Sequence, residues 1–128
     1  MATGTATRQL NILVCDDERS IVRLLQAILE KQGHKVALAY DGMDALEEIR
    51  RGTFDLVLLD IMMPRIDGME VLAWIRQQPE LANLPVIVLS AKQHDQDVFK
   101  AYHHGADIFL PKPIDPKELL AFVDRILS

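Results

Sequence analysis

The chain has 128 residues, a length that suits one domain. Aromatic residues make up only 5% of it against 49% hydrophobic residues, so its core must be mainly aliphatic. The net charge of −5 argues against a nucleic-acid-binding surface, and the single cysteine, Cys15, excludes an internal disulfide and a multi-cysteine metal site.

The N-terminal stretch MATGTATRQ lacks the basic segment and apolar run of a secretory signal. No apolar run approaches the roughly 20 residues that span a bilayer. We therefore expect a soluble, cytoplasmic domain over residues 10–128, with a flexible leader over residues 1–9 and no membrane partner.

In the first half of the chain, short apolar runs alternate with longer amphipathic segments. The runs are too short for helices, and their near-continuous apolarity is typical of strands buried on both faces of a parallel sheet. The longer segments have helical spacing and end near glycines, which favour helix C-termini. The predicted order is a strand in NILVCD (11–16), a helix with Ile21, Leu25, Ile28 and Leu29 ending at Gly33, a strand in KVALAY (35–40), a helix with Ala45, Leu46 and Ile49 ending near Gly52, and a strand in DLVLLD (55–60).

The second half continues the alternation. Its last helix is predicted to begin at Pro116, because proline is favoured in the first turn, and it carries a wide apolar face. The predicted order is a helix with Met69, Leu72, Ala73 and Ile75 before Pro79, a strand in PVIVLS (85–90), a weak helix with Val98 and Ala101 before Gly105, a weaker strand in DIFLPK (107–112), and the last helix with Leu119, Leu120, Val123, Ile126 and Leu127.

Five strand–helix repeats predict an α/β fold, a doubly wound (βα)5 arrangement with a five-stranded parallel sheet and helices on both faces. In such sheets, function lies in the crevice beyond the carboxyl ends of the strands. Polar residues follow four of the five predicted strands, and we expect them to converge at that edge. They are Asp16, Asp17, Asp60, Ser90 and Lys112.

These side chains suit phosphoryl chemistry. An Asp at a strand end often only caps a helix or begins a turn, but five such residues at one edge favour a functional site. Three close carboxylates repel each other, and one lysine cannot neutralise them, so a hard cation such as Mg²⁺ is expected among the oxygen ligands. An Asp carboxylate can act as a nucleophile that forms an aspartyl phosphate.

The motifs VCDDE, LVLLDIMMPRIDGMEVL, PVIVLSAK and GADIFLPKPIDPKEL, in this order, resemble the receiver (CheY-like) domain of two-component response regulators. The resemblance extends from about Asn11 to Leu127. It implies a flavodoxin-like sheet with strand order 2-1-3-4-5. It also implies that Asp60 is the phosphoacceptor and that Mg²⁺, or Mn²⁺ as a substitute, is bound by Asp17, Asp60 and the backbone carbonyl of Met62, with Asp16 acting through water.

The same resemblance assigns the remaining site residues. Lys112 would pair with the phosphoryl group, and the Lys112–Pro113 peptide would be cis, which aims the lysine. Ser90 would be the switch hydroxyl and Phe109 the aromatic switch residue.

The implied function is a phosphorylatable signalling module, not an enzyme, that assists only its own phosphorylation and dephosphorylation. The phosphoryl donor would be a sensor histidine kinase or a histidine phosphotransfer protein. Phosphorylation would switch a surface formed by the fourth helix, fifth strand and fifth helix for binding of a downstream protein, without direct nucleic-acid binding. Both a single-domain regulator and a receiver within a larger protein remain open.

Two departures from the family pattern carry expectations of their own. Met62 and Lys92 stand two residues after the acceptor and after the switch hydroxyl, and neither suits positioning an attacking water, so self-dephosphorylation is expected to be slow to moderate. Ile108 and Phe122 are apolar where the transcription-factor subfamily has charges that join a dimer, which puts such a dimer in doubt.

The residues fit three other classes of protein less well. A haloacid-dehalogenase-type phosphatase needs a second Asp where Met62 stands. A flavodoxin-like cofactor binder needs a hydroxyl- and glycine-rich loop where this chain has DDERS. A pseudo-receiver scaffold would lack at least one of the five site residues.

Overall fold

The computed structural model describes residues 8–91 and 101–127. In this part of the chain, strands and helices alternate as the sequence predicts. The elements are β1 (Asn11–Cys15), α1 (Arg19–Lys31), β2 (Lys35–Ala39), α2 (Gly42–Arg51), β3 (Leu56–Asp60), α3 (Gly68–Gln77), a 3-10 turn (Pro79–Leu81), β4 (Val86–Ser90), α4 (described over residues 101–103), β5 (Ile108–Pro111) and α5 (Pro116–Leu127). Lys92, His94 and Val98 lie outside the described residues.

The five strands form one parallel sheet in the order β2-β1-β3-β4-β5. The predicted α/β fold and strand order are therefore confirmed. The strand bounds agree with the predicted runs to within one residue at each end. Every residue of β3 and β4 is buried, because helices cover both faces of the sheet.

The core consists of two aliphatic layers, one on each face of the sheet. One layer joins alternate residues of the strands to α2 and α3, and the other joins the remaining strand residues to α1 and α5. Burial of each Leu, Ile or Val side chain contributes about 1.5–3 kcal/mol. The low aromatic content thus corresponds to an aliphatic core, as composition predicts. No helix among residues 8–91 and 101–127 is long and apolar enough to cross a membrane.

The helix ends follow local capping chemistry. Asp41 caps α2 by accepting a hydrogen bond from the Asp44 backbone N–H (2.8 Å), and Asp67 caps α3 in the same way through Glu70 (2.9 Å). Gly33 follows α1 with a φ of 93°, a conformation that favours glycine. The caps at Asp41 and Asp67 mark where two loops at the carboxyl edge of the sheet end and where α2 and α3 begin.

Arg76 near the end of α3 joins three segments that are distant in sequence. Its Nε donates to the Gly105 carbonyl (2.9 Å), and its Nη1 donates to the Leu84 carbonyl (2.7 Å). Its Nη2 pairs with Asp107 (3.0 Å), whose same oxygen accepts from the Val86 backbone N–H (2.8 Å). Arg76 therefore ties α3 to the beginnings of β4 and β5, at the sheet edge opposite the acidic residues.

Candidate functional site

Three carboxylates meet at the carboxyl edge of the sheet. β1 and β3 pair directly, with Cys15 opposite Leu59, so the residues after them reach the same edge. Asp16, Asp17 and Asp60 each offer an oxygen, and these oxygens all lie within 4.8 Å of one another. Asp16 and Asp60 are 0% and 2% exposed, whereas Asp17 faces solvent. The predicted convergence of the acids is therefore observed.

Lys112 brings the positive charge to this edge. Its Nζ lies 2.7 Å from Asp16 Oδ2 and 3.4 Å from Asp60 Oδ1. A third acid, Glu18, lies 3.2 Å from the same nitrogen and was not among the residues selected from the sequence. Its signal was the third acid of the VCDDE motif, which places it one residue before α1.

The backbone around Lys112 is fixed by β4. Its N–H donates to the Ser90 carbonyl (2.8 Å), because Ser90 lies opposite Pro111 in the parallel register. The Lys112–Pro113 peptide is cis. Ser90 is 1% exposed and ends the strand next to β3, so its side chain belongs to the same edge as Asp60.

The negative charge of the acids at this edge exceeds the positive charge beside them. Burial raises the pKa of Asp60 to about 7; the charge of Asp16 adds to this effect, and Lys112 opposes it. Burial likewise raises the pKa of Asp16, against the contact with Lys112. Burial would lower the pKa of Lys112, but its contacts with Asp16 and Asp60 raise it instead. One ammonium thus does not balance the carboxylates around it.

The donor set fits a hard divalent cation. All the candidate side-chain ligands are carboxylate oxygens, as such cations prefer. Asp16 Oδ2 is fully buried and, although it lies close to the ammonium of Lys112, it has no partner in hydrogen-bonding geometry. The ammonium of Lys112 is shared among Asp16, Glu18 and Asp60, so it leaves an excess of negative charge among these acids. The acidic cluster could therefore hold a metal ion.

The loop after β3 returns to the backbone of Asp60 and Ile61 at Gly68. A Cβ at Gly68 would overlap the carbonyl oxygen of Asp60, so the chain can pass there only as glycine. The Gly68 N–H donates to the Ile61 carbonyl (2.8 Å) and closes the loop, which leaves Met62 55% exposed at the surface. Sequence reasoning missed the role of Gly68, because its contact depends on the tertiary path of the loop.

Ser90 and Phe109, the residues predicted to take part in switching, lie on neighbouring strands. Phe109 in β5 pairs in register with Val88 of β4 and is half-buried against the core layer that contains Val88. Ser90 lies two residues further along β4. The fold therefore places Ser90 and Phe109 on the same face of the sheet, the face covered by α2 and α3.

Ile108 and Phe122, singled out as departures, are both half-buried and pack against the core layer of α1 and α5. The guanidinium of Arg125 lies 5.4 Å from the centre of the Phe122 ring. A cavity of about 220 Å³ opens beside them. Both residues thus lie at the edge of the core, beside the charged side chain of Arg125.

Comparison with known proteins gives concordant results. The family model described as the response regulator receiver domain matches residues 12–124. Similar curated proteins include the alkaline phosphatase synthesis transcriptional regulatory protein PhoP of Bacillus subtilis, 43% identical over 116 residues, which are 91% of this chain and 48% of PhoP. The transcriptional regulatory protein DltR of Streptococcus agalactiae is 43% identical over 112 residues, which are 88% of this chain and 49% of DltR. The chain thus spans about half the length of these relatives.

Solved structures show the same likeness. The receiver domain of the Francisella response regulator 1452 superposes with a TM-score of 0.86 at 32% identity, covering 93% of this chain and 97% of that one. The chemotaxis protein CheY4 of Vibrio cholerae superposes with a TM-score of 0.86 at 28% identity, covering 93% of this chain and 99% of that one.

Proposed function

The chain belongs to the response regulator receiver domain family, and from this premise we propose that it accepts a phosphoryl group on Asp60. The observation that carries the proposal is the position of this carboxylate. It is buried at the end of β3, 3.4 Å from an ammonium and within 4.8 Å of two further carboxylates. Such an arrangement supplies a nucleophile together with groups that can balance phosphoryl charge.

We propose that Asp17 and Asp60 hold Mg²⁺ directly, with the backbone carbonyl of Met62 as a further ligand and Asp16 acting through water. Mn²⁺ would substitute, since both cations accept oxygen ligands. When bound, the metal supplies positive charge to the phosphoryl oxygens and fixes their orientation. The close approach of the three carboxylates and the shortage of positive charge at this edge support this assignment.

The transfer itself is a displacement at phosphorus. A carboxylate oxygen of Asp60 forms the new P–O bond while the P–N bond of a phosphohistidine breaks, and the electron pair of that bond stays on the histidine nitrogen. The donor in our proposal is a sensor histidine kinase or a histidine phosphotransfer protein. The contribution of this chain is positioning and charge, so we do not propose an enzyme in the usual sense.

Lys112 is the residue whose ion pairs we expect to change when Asp60 is phosphorylated. Its ammonium now contacts Asp16, Glu18 and Asp60. A phosphoryl group on Asp60 adds about −1.5 to −2 charges, so we propose that Lys112 pairs with the phosphoryl oxygens. Its backbone bond to β4 keeps the side chain at this edge in either state.

The output of the proposal is a shift between two conformations. Ser90 moves toward the phosphoryl group and Phe109 moves into the space that this movement leaves, which changes the surface of α4, β5 and α5. That surface would bind a downstream protein. The relatives PhoP and DltR are described as transcriptional regulatory proteins, and we assign only the receiver step of such regulation to this chain.

The phosphoryl group is proposed to be lost slowly to moderately. Met62, two residues after Asp60, presents an exposed thioether side chain that cannot orient an attacking water. Lys92 was part of the same expectation and lies outside the described residues.

The test is phosphorylation by a small-molecule donor. The protein is mixed with phosphoramidate with and without Mg²⁺, and its intact mass is recorded. We expect an adduct of one phosphoryl group that requires Mg²⁺ and disappears in Asp60→Asn. The matched control is Asp67→Asn, which removes an acid from the same loop while Asn preserves the helix cap. An adduct that persists in Asp60→Asn would refute the assignment.

A further inference from the structure

Arg65 has an unusual backbone conformation in the loop that follows the proposed phosphoacceptor. Its φ is 70°, and it is the one residue other than glycine with a positive φ among residues 8–91 and 101–127. This left-handed region is strained for a residue with a long side chain and is adopted readily by Gly and Asn. Such an outlier persists where surrounding contacts hold it and where function depends on it.

The side chain of Arg65 forms an ion pair with the start of α2. Its Nη2 lies 2.6 Å from Asp41 Oδ2 and 3.7 Å from Asp44 Oδ1. Asp41 divides its two oxygens, because Oδ1 caps α2 while Oδ2 accepts from Arg65. Burial would raise the pKa of Asp41, but its bonds to the Asp44 backbone and to Arg65 lower it. The carboxylate is therefore held in its charged form.

The backbone of the loop also lies directly against α2. A Cβ at Gly42 would overlap the carbonyl of Ile66, so the two backbones meet at van der Waals distance only because Gly42 has no side chain. The Gly42 N–H faces the Pro64 carbonyl at 3.5 Å. The loop is thus clamped at its centre by α2 and at its end by the bond between Gly68 and Ile61.

We propose that the pairing of Arg65 with Asp41 and Asp44 is a positioning device for the metal site. It holds loop residues 61–67, and with them the Met62 backbone carbonyl, at the acidic edge before a cation binds. The inference rests on the proposed function of that edge. Pre-ordering a ligand loop strengthens binding because less freedom is lost when the metal arrives.

The size of the effect follows from the exposure of the pair. The side chain of Arg65 is 57% exposed, so the ion pair is weak by itself and is screened by salt. Removing it should leave the fold intact and loosen only the loop. We expect the Kd for Mg²⁺ to rise three- to tenfold, with a smaller difference at high salt.

The first variant is Arg65→Asn, because Asn tolerates the left-handed conformation without the charge. Mg²⁺ alone is titrated by calorimetry, and amide exchange of residues 61–67 is followed in the metal-free protein. We expect weaker Mg²⁺ binding, faster exchange in the loop and an unchanged or higher unfolding midpoint. The matched control is Arg51→Asn, which removes another exposed arginine, paired with Glu48 within α2, and should change neither quantity.

The second variant is Asp41→Asn, which leaves the loop sequence intact. Asn still caps α2, so only the charge that faces Arg65 is lost. It should weaken Mg²⁺ binding by a similar factor, and the double variant with Arg65→Asn should be no weaker than either alone, as expected for two partners of one contact.

The outcomes separate the two proposals. Wild-type protein that binds no Mg²⁺ would overturn the proposed metal site and this inference together. Wild-type binding with unchanged Mg²⁺ affinity and loop exchange in Arg65→Asn would overturn the positioning role alone. Lower stability with unaltered Mg²⁺ affinity would show that the pair only supports the fold.

Discussion

Replacing Asp60 with Asn should stabilise the metal-free protein, although it removes the proposed phosphoacceptor. The carboxyl group has a pKa of about 7 in the folded chain and an ordinary value of 3.8, a difference of about 3 units. At about 1.4 kcal/mol per unit, the buried charge costs roughly 4 kcal/mol of stability at pH values above 7. Asn avoids this charge but must still bury an amide, so we expect a net gain of about 2–3 kcal/mol.

The sign of the effect depends on pH. A raised pKa means that the folded state holds the proton more tightly than the unfolded chain does. The cost of the Asp60 charge is therefore absent below about pH 4, grows as the pH rises toward 7 and is complete above it. The gain from Asp60→Asn should follow the same course and nearly vanish at pH 4.

Urea unfolding measures this directly. Wild type, Asp60→Asn and the control Asp67→Asn are unfolded at pH 8 in EDTA and again in Mg²⁺. In EDTA the Asp60 variant should be the more stable protein, and Mg²⁺ should stabilise wild type more than the variant, because a bound ligand adds stability only where it binds. A variant less stable than wild type in EDTA would refute the view that this edge lacks positive charge.

Three further changes test other parts of the structure. Arg76→Met removes charged hydrogen bonds to two carbonyls from a side chain that is 19% exposed, and it should lower the free energy of unfolding in urea by about 2–4 kcal/mol. The control Arg51→Met, at an exposed arginine, should lower it by less than about 0.5 kcal/mol. Equal losses would contradict the role of Arg76 in joining α3 to the beginnings of β4 and β5. Gly68→Ala forces a Cβ onto the Asp60 carbonyl, so it should destabilise the protein by about 2 kcal/mol or more and weaken Mg²⁺ binding. An unfolding midpoint equal to that of wild type would contradict the close approach of Gly68 to the Asp60 carbonyl. His34 is buried, and its Nδ1 accepts a hydrogen bond from the Leu10 backbone N–H (3.1 Å). Because burial lowers the pKa of His34 below 6.5, the free energy of unfolding should fall as the pH drops below about 6.5, by at most about 1.4 kcal/mol per pH unit. His34→Asn keeps a hydrogen-bond acceptor and should lose this dependence of stability on pH. An unchanged slope in that variant would assign the effect to other groups.

The strands could be predicted from the sequence because a parallel sheet buried on both faces requires continuous apolar runs. Their alternation with helices then required the carboxyl ends to meet at one edge, which placed Asp16, Asp60 and Lys112 together without any knowledge of their distances. The resemblance to receiver domains supplied the strand order. Local pattern and topology were therefore sufficient for the fold class and for the convergence of these residues, whereas the strand order required the resemblance.

The residues that sequence reasoning missed depend on contacts between distant segments. Arg65 and Asp41 are 24 positions apart, and Arg76 and Asp107 are 31 apart, so no local pattern indicates either pair. His34 lies in the loop between α1 and β2, and the sequence does not indicate its burial, because that burial depends on the path of the chain around Leu10.

The central claim is that Asp60 forms the phosphoryl bond, and identification of the modified residue tests it most directly. The protein is treated with phosphoramidate and Mg²⁺, the acyl phosphate is reduced with borohydride, and the peptides are sequenced by mass spectrometry. Reduction converts an aspartyl phosphate to homoserine, and we predict homoserine at residue 60 only, and only when Mg²⁺ is present. Homoserine at another acid, or none in protein that has been shown to bind Mg²⁺, would contradict the claim.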